Sequence, residues 1–348
     1  MISEWKDFLA NAGAEFNDTG VAHYGSERRE LKVAITGNVF ADLSHYGLIS
    51  AHGEDAGTFL QGQFTNDIRK VTNEHSQLTG LCNPKGRLLA TFRALQRGDS
   101  YYLCLPGTML EDVIKRLRMF VLRSKVTLED VSDTFVHLGV SGDDAEQELR
   151  KFAGELPETV NAVVQAGDHT IIRVPGIHPS YEIFTSVDDA RQLWDRLNVQ
   201  SAPIGANAWQ LLDIQAGIPV ISPQTREAFV PQMTNLQLID GVSFKKGCYT
   251  GQEIVARMQY LGKLKRRMYR ARVANAPPLT GEEEIFVAGK AQQSVGRLVS
   301  VAPHPDGGYA MLAVLQIASA EGDNELHLGA VDGPLLELET LPYPFAED

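Results

Sequence analysis

Lys246-Gly247-Cys248-Tyr249-Thr250-Gly251-Gln252-Glu253, preceded by Lys245, puts one cysteine between two lysines and the expected start of a helix. Thr250 and Glu253 stand at capping-box spacing, which predicts Thr250 as the N-cap and Glu253 at the third helical position. The helix then runs through Ile254, Val255, Ala256 and Arg257 toward Met258. Cys248 falls just before the cap, near the positive end of the helix dipole, with Lys245 and Lys246 adding charge. Such surroundings favour a reactive thiolate, the form that acts as nucleophile and as metal ligand. Gly247 and Gly251 allow a sharp turn or a close backbone approach. The competing reading is a cysteine buried as a small hydrophobe in a tight turn.

The cysteine sits at the head of a basic strip. Residues 245–272 hold nine lysines and arginines against Glu253 alone, a local net of +8 in a chain whose total is -12, so the remainder carries -20. A basic strip on an acidic protein attracts and orients an anion. The alternative is a solvated helix-to-strand connection, although the acidic neighbours that normally intersperse such surfaces are missing from this stretch.

The 348 residues predict two or three domains. A chain 43% hydrophobic and 22% charged has the balance of a soluble globular protein. No basic n-region followed by an apolar run opens the sequence, and the best apolar stretch, Ala310 to Leu315, stops at Gln316, so neither a secretory signal nor a membrane span is expected. Cys82, Cys104 and Cys248 are too few and too scattered for a disulfide framework, which fits a reducing cytoplasm. No CxxC or HExxH spacing is present, so no self-contained metal site is expected. The Walker loop, GxGxxG and GxSxG are absent too, and with them the usual support for nucleotide and hydrolase chemistry.

The elements that must position the cysteine read as alternating short strands and helices. Ala56, Phe59 and Leu60 make a helical face broken by Gly62 to Asp67. Thr79–Cys82 and Leu88–Phe92 read as paired strands around the turn Asn83-Pro84-Lys85-Gly86, with Tyr101–Leu105 as a third strand. Leu110, Val113, Ile114, Leu117 and Phe120 recur at helical spacing. Further strands are expected at 126–128, 135–138, 160–164, 170–174 and 181–184, and helices at 145–152, 190–197 and 208–216. After Pro278 the text alternates as strands, with Asp306-Gly307-Gly308 as a hairpin turn, which predicts a small C-terminal β-barrel or sandwich. The absence of long buried strands favours α+β with antiparallel sheets over a parallel fold. Cys82 and Cys104 fall in strands and are expected in the core. His45 is expected to be a hydrogen-bonded structural histidine.

The octapeptide, followed by Val255-Ala256-Arg257 and by Tyr260-Leu261-Gly262-Lys263 with Arg266, resembles the signature of the YgfZ-type folate-binding proteins, relatives of the glycine-cleavage T-protein (aminomethyltransferase). Asp42-Leu43-Ser44-His45, Phe59 to Gly62 with Thr65-Asn66-Asp67, and Asn83 to Arg87 are similar to the first half of that superfamily. Gly217-Ile218-Pro219 and Pro231 to Leu236 match its approach to the cysteine. The resemblance implies an α+β, T-protein-like cloverleaf of three domains with antiparallel sheets and a C-terminal β-barrel. Its divisions fall at 1–42 with 132–244, at 43–131, at 245–270 as motif helix and basic connection, and at 271–348 as barrel.

The resemblance also implies tetrahydrofolate, or a derivative, as the cofactor. Glu182 stands where T-proteins hold the pterin, and a carboxylate there accepts two donors from the aminopyrimidine edge. Tyr249, Asn66 and Asp67 are implied near the folate, and Lys246, Lys263, Lys265, Arg266 and Arg267 near its glutamate tail. Gly247, Thr250, Gly251, Gln252 and Glu253 are implied to shape the motif. Where the T-protein carries aspartates this chain has Ala90 and Thr91, neither of which serves as a general acid or base. The implied function is therefore assembly or repair of iron–sulfur clusters in client enzymes, tRNA-modifying ones included, with Cys248 as the thiol and iron–sulfur client or assembly proteins as partners. Two alternatives stay open: a one-carbon transferase of T-protein type, and an RNA-binding module using residues 245–272. The overall acidity speaks against the latter.

Overall fold

The computed structural model describes residues 1–289 and 293–345. They form two compact units, one made of Met1–Phe59, Ile68–Gln77 and Phe92–Leu212, the other of Leu60–Asp67, Leu78–Thr91 and the chain from Asp213 onward. Among the described residues no helix is long and apolar enough to cross a membrane.

In the first unit a six-stranded sheet runs in the order Val163–Ala166, His169–Val174, Ser180–Thr185, Val136–Ser141, Val39–Asp42, Ala202–Ile204. All its pairings are antiparallel except the last, Ala202–Ile204 on Val39–Asp42. Period-two alternation gives this sheet two different faces. Tyr181 and Ile183 enter a core with Val136, Leu138 and Val140, roofed by Trp5 and Leu9 of the helix Ser3–Asn11, Leu149 of Asp143–Ala153, and Leu193 and Trp194 of Val187–Leu197. Trp194 meets Phe40 edge-on with ring centroids 4.7 Å apart. Glu182 and Phe184 point the other way, and Phe184 joins Leu48, Leu95, Cys104 and Ile172 in a separate core. That alternation delivers Glu182 to the interior side of the sheet.

A second, five-stranded sheet has the order Gln77–Cys82, Leu88–Arg97, Ser100–Pro106, Tyr46–His52, Thr127–Asp130. The predicted turn at 83–86 joins its first two strands. The helix Gly107–Val121 packs on Tyr46–His52 through Met109, Val113, Ile114 and Leu117. The stripe thus runs through Met109, while Phe120, read as part of it, is 41% exposed.

In the second unit the barrel closes through Arg266–Val273, Tyr309–Gln316, Gly296–Pro303, Glu284–Val287, Leu326–Leu328 and Leu335–Glu339. Tyr269, Ala271 and Val273 point into its core beside Ile285, Met311, Ala313 and Leu315, while Arg270 and Arg272 alternate outward. The barrel therefore begins at Arg266, inside the segment read as a basic connection. Asp306-Gly307-Gly308 is the predicted hairpin turn, and a Cβ on Gly308 would fall 1.9 Å from the Val273 carbonyl oxygen.

Candidate functional site

The motif helix runs Gln252–Tyr260 in the second unit, and its N-cap is Gly251 at φ 85°, not Thr250. No side chain caps it, and Glu253 is exposed, so the expected capping box does not form. Packing decides this. The loop carries Gly251 to within van der Waals reach of the Asn83–Gly86 turn, where a Cβ would lie 2.4 Å from the Asn83 carbonyl oxygen. Only glycine meets both the left-handed backbone and that approach. Gly247, by contrast, has open space where a Cβ would stand and no left-handed φ, so the turn that its type suggested is not required there.

Cys248 is exposed, whereas Cys82 and Cys104 are buried. The reading of Cys248 as a buried small hydrophobe is thereby set aside. Burial pushes the Cys82 thiol up to about 12, leaving it inert at neutral pH. Cys248 is accordingly the thiol that an outside reagent or client can reach.

The lysine before it does a different job from the one expected. Lys246 is buried, and its Nζ donates to the backbone oxygens of Gln61 (2.7 Å), Phe64 (2.5 Å) and Asn66 (2.9 Å). An ammonium has three protons, and these carbonyls take all three, leaving none for an anion. Nζ also lies 5.1 Å from the centroid of the buried Tyr249 ring. Burial, with Cys82 nearby, pushes the Tyr249 hydroxyl far up, so it stays protonated. The loop that Lys246 grips is itself closed by its polar side chains. Asn66 donates to the oxygens of Leu78 (3.0 Å) and Asp240 (2.5 Å), and Asp67 accepts from Gln61 at 3.0 Å.

The basic strip divides. Arg270 pairs with Glu339, its cross-strand neighbour, at 3.1 Å, and Arg272 with Asp306 at 3.7 Å. Arg267 pairs with Glu321 and lies over the Phe345 ring at 3.8 Å. The acids missing from the local sequence are supplied by distant segments of the barrel. Arg257, Lys263 and Lys265 remain exposed, and Arg266 is half-buried.

In the first unit Glu182 is the centre of a polar cluster. Arg93 Nε lies 3.4 Å from Oε1, and His137 Nε2 lies 3.2 Å from Oε2. Arg93 is steadied in turn by Asn161 Oδ1 at 2.9 Å, and the His137 ring stacks on Phe184 at 4.2 Å. Burial alone would raise the Glu182 carboxyl, but Arg93 and His137 outweigh it and hold the group below its ordinary value. Glu182 is therefore an ionised, half-enclosed acceptor and not an outward strand residue. The donor atoms of Cys104, His137 and Glu182 fall within 4.8 Å of one another, a proximity no sequence spacing announced. Arg93 already supplies the positive charge there that a metal ion would bring. His45 differs from expectation: its Nδ1 is buried without a hydrogen-bond partner among the described residues, and burial, reinforced by His137, pushes the ring down to about 3.

Sequence reasoning missed Arg93 and His137 as partners of Glu182, since each reads as an ordinary strand residue. Thr91, standing where an aspartate was looked for, is buried, donating to the Pro219 oxygen and accepting from the Ile221 amide, both at 3.2 Å.

The family profile described as GCVT N-terminal domain matches residues 13–246. The chain is 33% identical over 307 residues to the tRNA-modifying protein YgfZ of Yersinia enterocolitica, covering 88% of this chain and 92% of that one. It is 31% identical over 304 residues to the tRNA-modifying protein YgfZ of Colwellia psychrerythraea, covering 87% and 92%. Among solved structures, glycine cleavage system aminomethyltransferase T from Bartonella henselae superposes with a TM-score of 0.76 at 16% identity, covering 97% of this chain and 96% of that one, which shows a common fold. With the exposed Cys248 on its motif loop and the T-protein fold beneath it, the chain belongs to the GCVT-domain family and, within it, to the YgfZ proteins.

Proposed function

We propose that this protein binds tetrahydrofolate, or a derivative, and supports assembly or repair of iron–sulfur clusters in client enzymes through the thiol of Cys248. The observation that carries the folate half is Glu182, an enclosed carboxylate kept ionised by Arg93 and His137. Its two oxygens have lone pairs beyond those engaged, so the group fits the N–H edge of an aminopyrimidine. Arg93 and His137 orient that carboxylate and hold its charge while the ring is bound. Bound tetrahydrofolate supplies a carrier for one-carbon units.

The thiol half is supported by exposure. Cys248 is the accessible cysteine, held on a loop whose base is pinned by Lys246. One thiol fills one ligand position, so a cluster, as cargo, takes its other ligands from the client, an assembly protein or a small thiol. The YgfZ relatives are named as tRNA-modifying proteins, which agrees with clients among the enzymes that modify tRNA. T-protein-type transfer is the weaker reading, because Thr91 is occupied by backbone groups and Ala90 offers no carboxylate.

The test is anaerobic calorimetric titration of tetrahydrofolate into the wild type and into Glu182→Gln. Saturable binding that weakens by tenfold or more in the variant is expected; no binding to the folded wild type would discard the folate reading. For the thiol, a stably expressed Cys248→Ala that still restores client activity in a deletion strain would remove Cys248 from the mechanism.

A further inference from the structure

The motif helix Gln252–Tyr260 buries one side and leaves the other uncovered. Val255 turns inward and is fully buried, and its carbonyl oxygen accepts from Gln232 Nε2 at 2.7 Å, fastening the helix to the turn Pro231–Thr234. Ile254, Arg257 and Leu261 follow one another at i, i+3 and i+7, so they share the outward side. Ile254 is 39% exposed and Leu261 84%, with Tyr260, 67% exposed, on the flank. At 1.5 Å per residue the two aliphatic side chains stand about 10 Å apart along the axis. A helix with a second apolar stripe, rimmed by polar residues and open to water, is the mark of an interaction surface.

Charge says what covers it. Lys245, Arg257, Lys263 and Lys265 are exposed, and none of the four pairs with a carboxylate among the described residues. Arg267, Arg270 and Arg272 of the following strand differ, being matched by Glu321, Glu339 and Asp306. Lys85, also exposed, stands on the Asn83–Gly86 turn that Gly251 and Ile254 touch. Glu253 is the carboxylate that the helix itself adds. Uncompensated cations around apolar side chains match an occupant with the reverse pattern, carboxylates flanking aliphatic or aromatic anchors.

Such an occupant is a polypeptide. A nucleic acid offers phosphates to the cations but little aliphatic surface to Ile254 and Leu261. A strand long enough to follow the cations would also run onto a chain that carries -20 outside residues 245–272. A short protein segment confines its carboxylates to the strip.

We propose that the outward face of the motif helix is the docking surface for an acidic segment, with apolar anchor residues, of the partner protein that meets Cys248. The identity of that partner rests on the cluster reading of Cys248: a cluster held by one thiol takes its other ligands from elsewhere, and the exposed thiol lies three residues before the Gly251 cap of this helix. Ile254 and Leu261 seat the anchors. Arg257 between them, with Lys245 before the helix and Lys265 after it, takes the carboxylates. Charge matching of this kind sets encounter and orientation, and the buried anchors set the lifetime of the complex.

The experiment replaces Tyr260 of the full-length protein with the photo-crosslinker p-benzoylphenylalanine in a deletion strain and identifies the captured segment by mass spectrometry. Expected is a protein other than this chain, captured through a segment of net negative charge. Adding Arg257→Glu or Leu261→Asp should lower the yield tenfold or more, the first by reversing the charge and the second by removing an apolar contact. The captured segment, made as a synthetic peptide, should bind the wild type with an affinity that falls as salt rises, and bind Arg257→Glu at least tenfold more weakly. Both variants alter exposed side chains, so each should keep the urea midpoint and the one rapidly titrating thiol of the wild type. Capture should persist in Cys248→Ala, whatever that variant does to client activity; its loss there would make the thiol, and not this face, the point of attachment and would overturn the proposal. Capture of RNA, of a second copy of this chain or of nothing, capture through a segment without excess carboxylates, or a yield indifferent to both variants in folded protein overturns it as well.

Discussion

Lys246 Nζ lies 2.5 Å from the Phe64 carbonyl oxygen, tying the residue two places before the reactive cysteine to a loop distant in sequence. A lysine that looks like an anion-binding charge is instead the clamp of the motif. Lys246→Met should therefore cost about 2–4 kcal/mol, since it leaves three enclosed carbonyls short of a donor. Urea unfolding followed by circular dichroism measures this, and an unchanged midpoint would show that the clamp carries no weight.

The Glu182 cluster makes a comparable prediction in the first unit. Arg93→Leu removes the partner of a half-enclosed carboxylate and should destabilise by roughly 3 kcal/mol at neutral pH. Glu182 is held below its ordinary value, so its contribution is present above the range where free glutamates titrate and fades as the pH falls through and below that range. The loss caused by Arg93→Leu should accordingly shrink in acid. A penalty independent of pH would mean that Arg93 acts through packing alone.

His45 gives a second pH dependence. Its ring is pushed down to about 3, while an unfolded chain returns it to roughly 6.5. The unfolded state then binds the extra proton between those values, so stability rises with pH across that window, by up to about 1.4 kcal/mol per unit, and is fully present above it. Substituting His45→Gln should flatten the wild-type slope between pH 4 and 6; parallel curves for the two proteins would contradict it.

The two motif glycines should separate cleanly. Gly251→Ala forces a Cβ against the Asn83 oxygen at a left-handed backbone and should cost about 2–3 kcal/mol, whereas Gly247→Ala should stay within about 0.5 kcal/mol. Thermal unfolding of the pair decides, and equal effects would mean the turn is not built as described.

Thiol accessibility is testable without any ligand. A thiol-specific chromogenic reagent should titrate one equivalent rapidly in the native protein, and Cys248→Ala should abolish it. Rapid reaction of a second equivalent would show that Cys82 or Cys104 opens on that timescale.

Alternation and turn chemistry are local properties, and they made much of the fold legible. Leu88–Phe92, Tyr309–Leu315 and the Asp306-Gly307-Gly308 turn are recognisable because each residue's face follows from its own neighbours. Arg266–Val273 was harder to read, since four arginines mask the inward alternation of Tyr269, Ala271 and Val273. Cys248 stood out because its motif is contiguous. The fate of its neighbours was not a local matter. Capping-box spacing chose Thr250, but the approach of Gly251 to Asn83 moved the helix start, because a steric limit between remote segments outranks a cap worth about 1 kcal/mol. Lys246 and Arg267 carry equal charge in the sequence. One is spent on carbonyls of the 61–66 loop and the other on Glu321, while Lys263 stays exposed. Register sets His137 and Glu182 on neighbouring strands of the six-stranded sheet, but Arg93 belongs to the five-stranded one, and only packing between strands of the two sheets brings it within ion-pair distance of Glu182. Charge strength and protonation depend on which groups stand within a few ångströms. Chain order sets the types of those groups, and tertiary packing sets their distances.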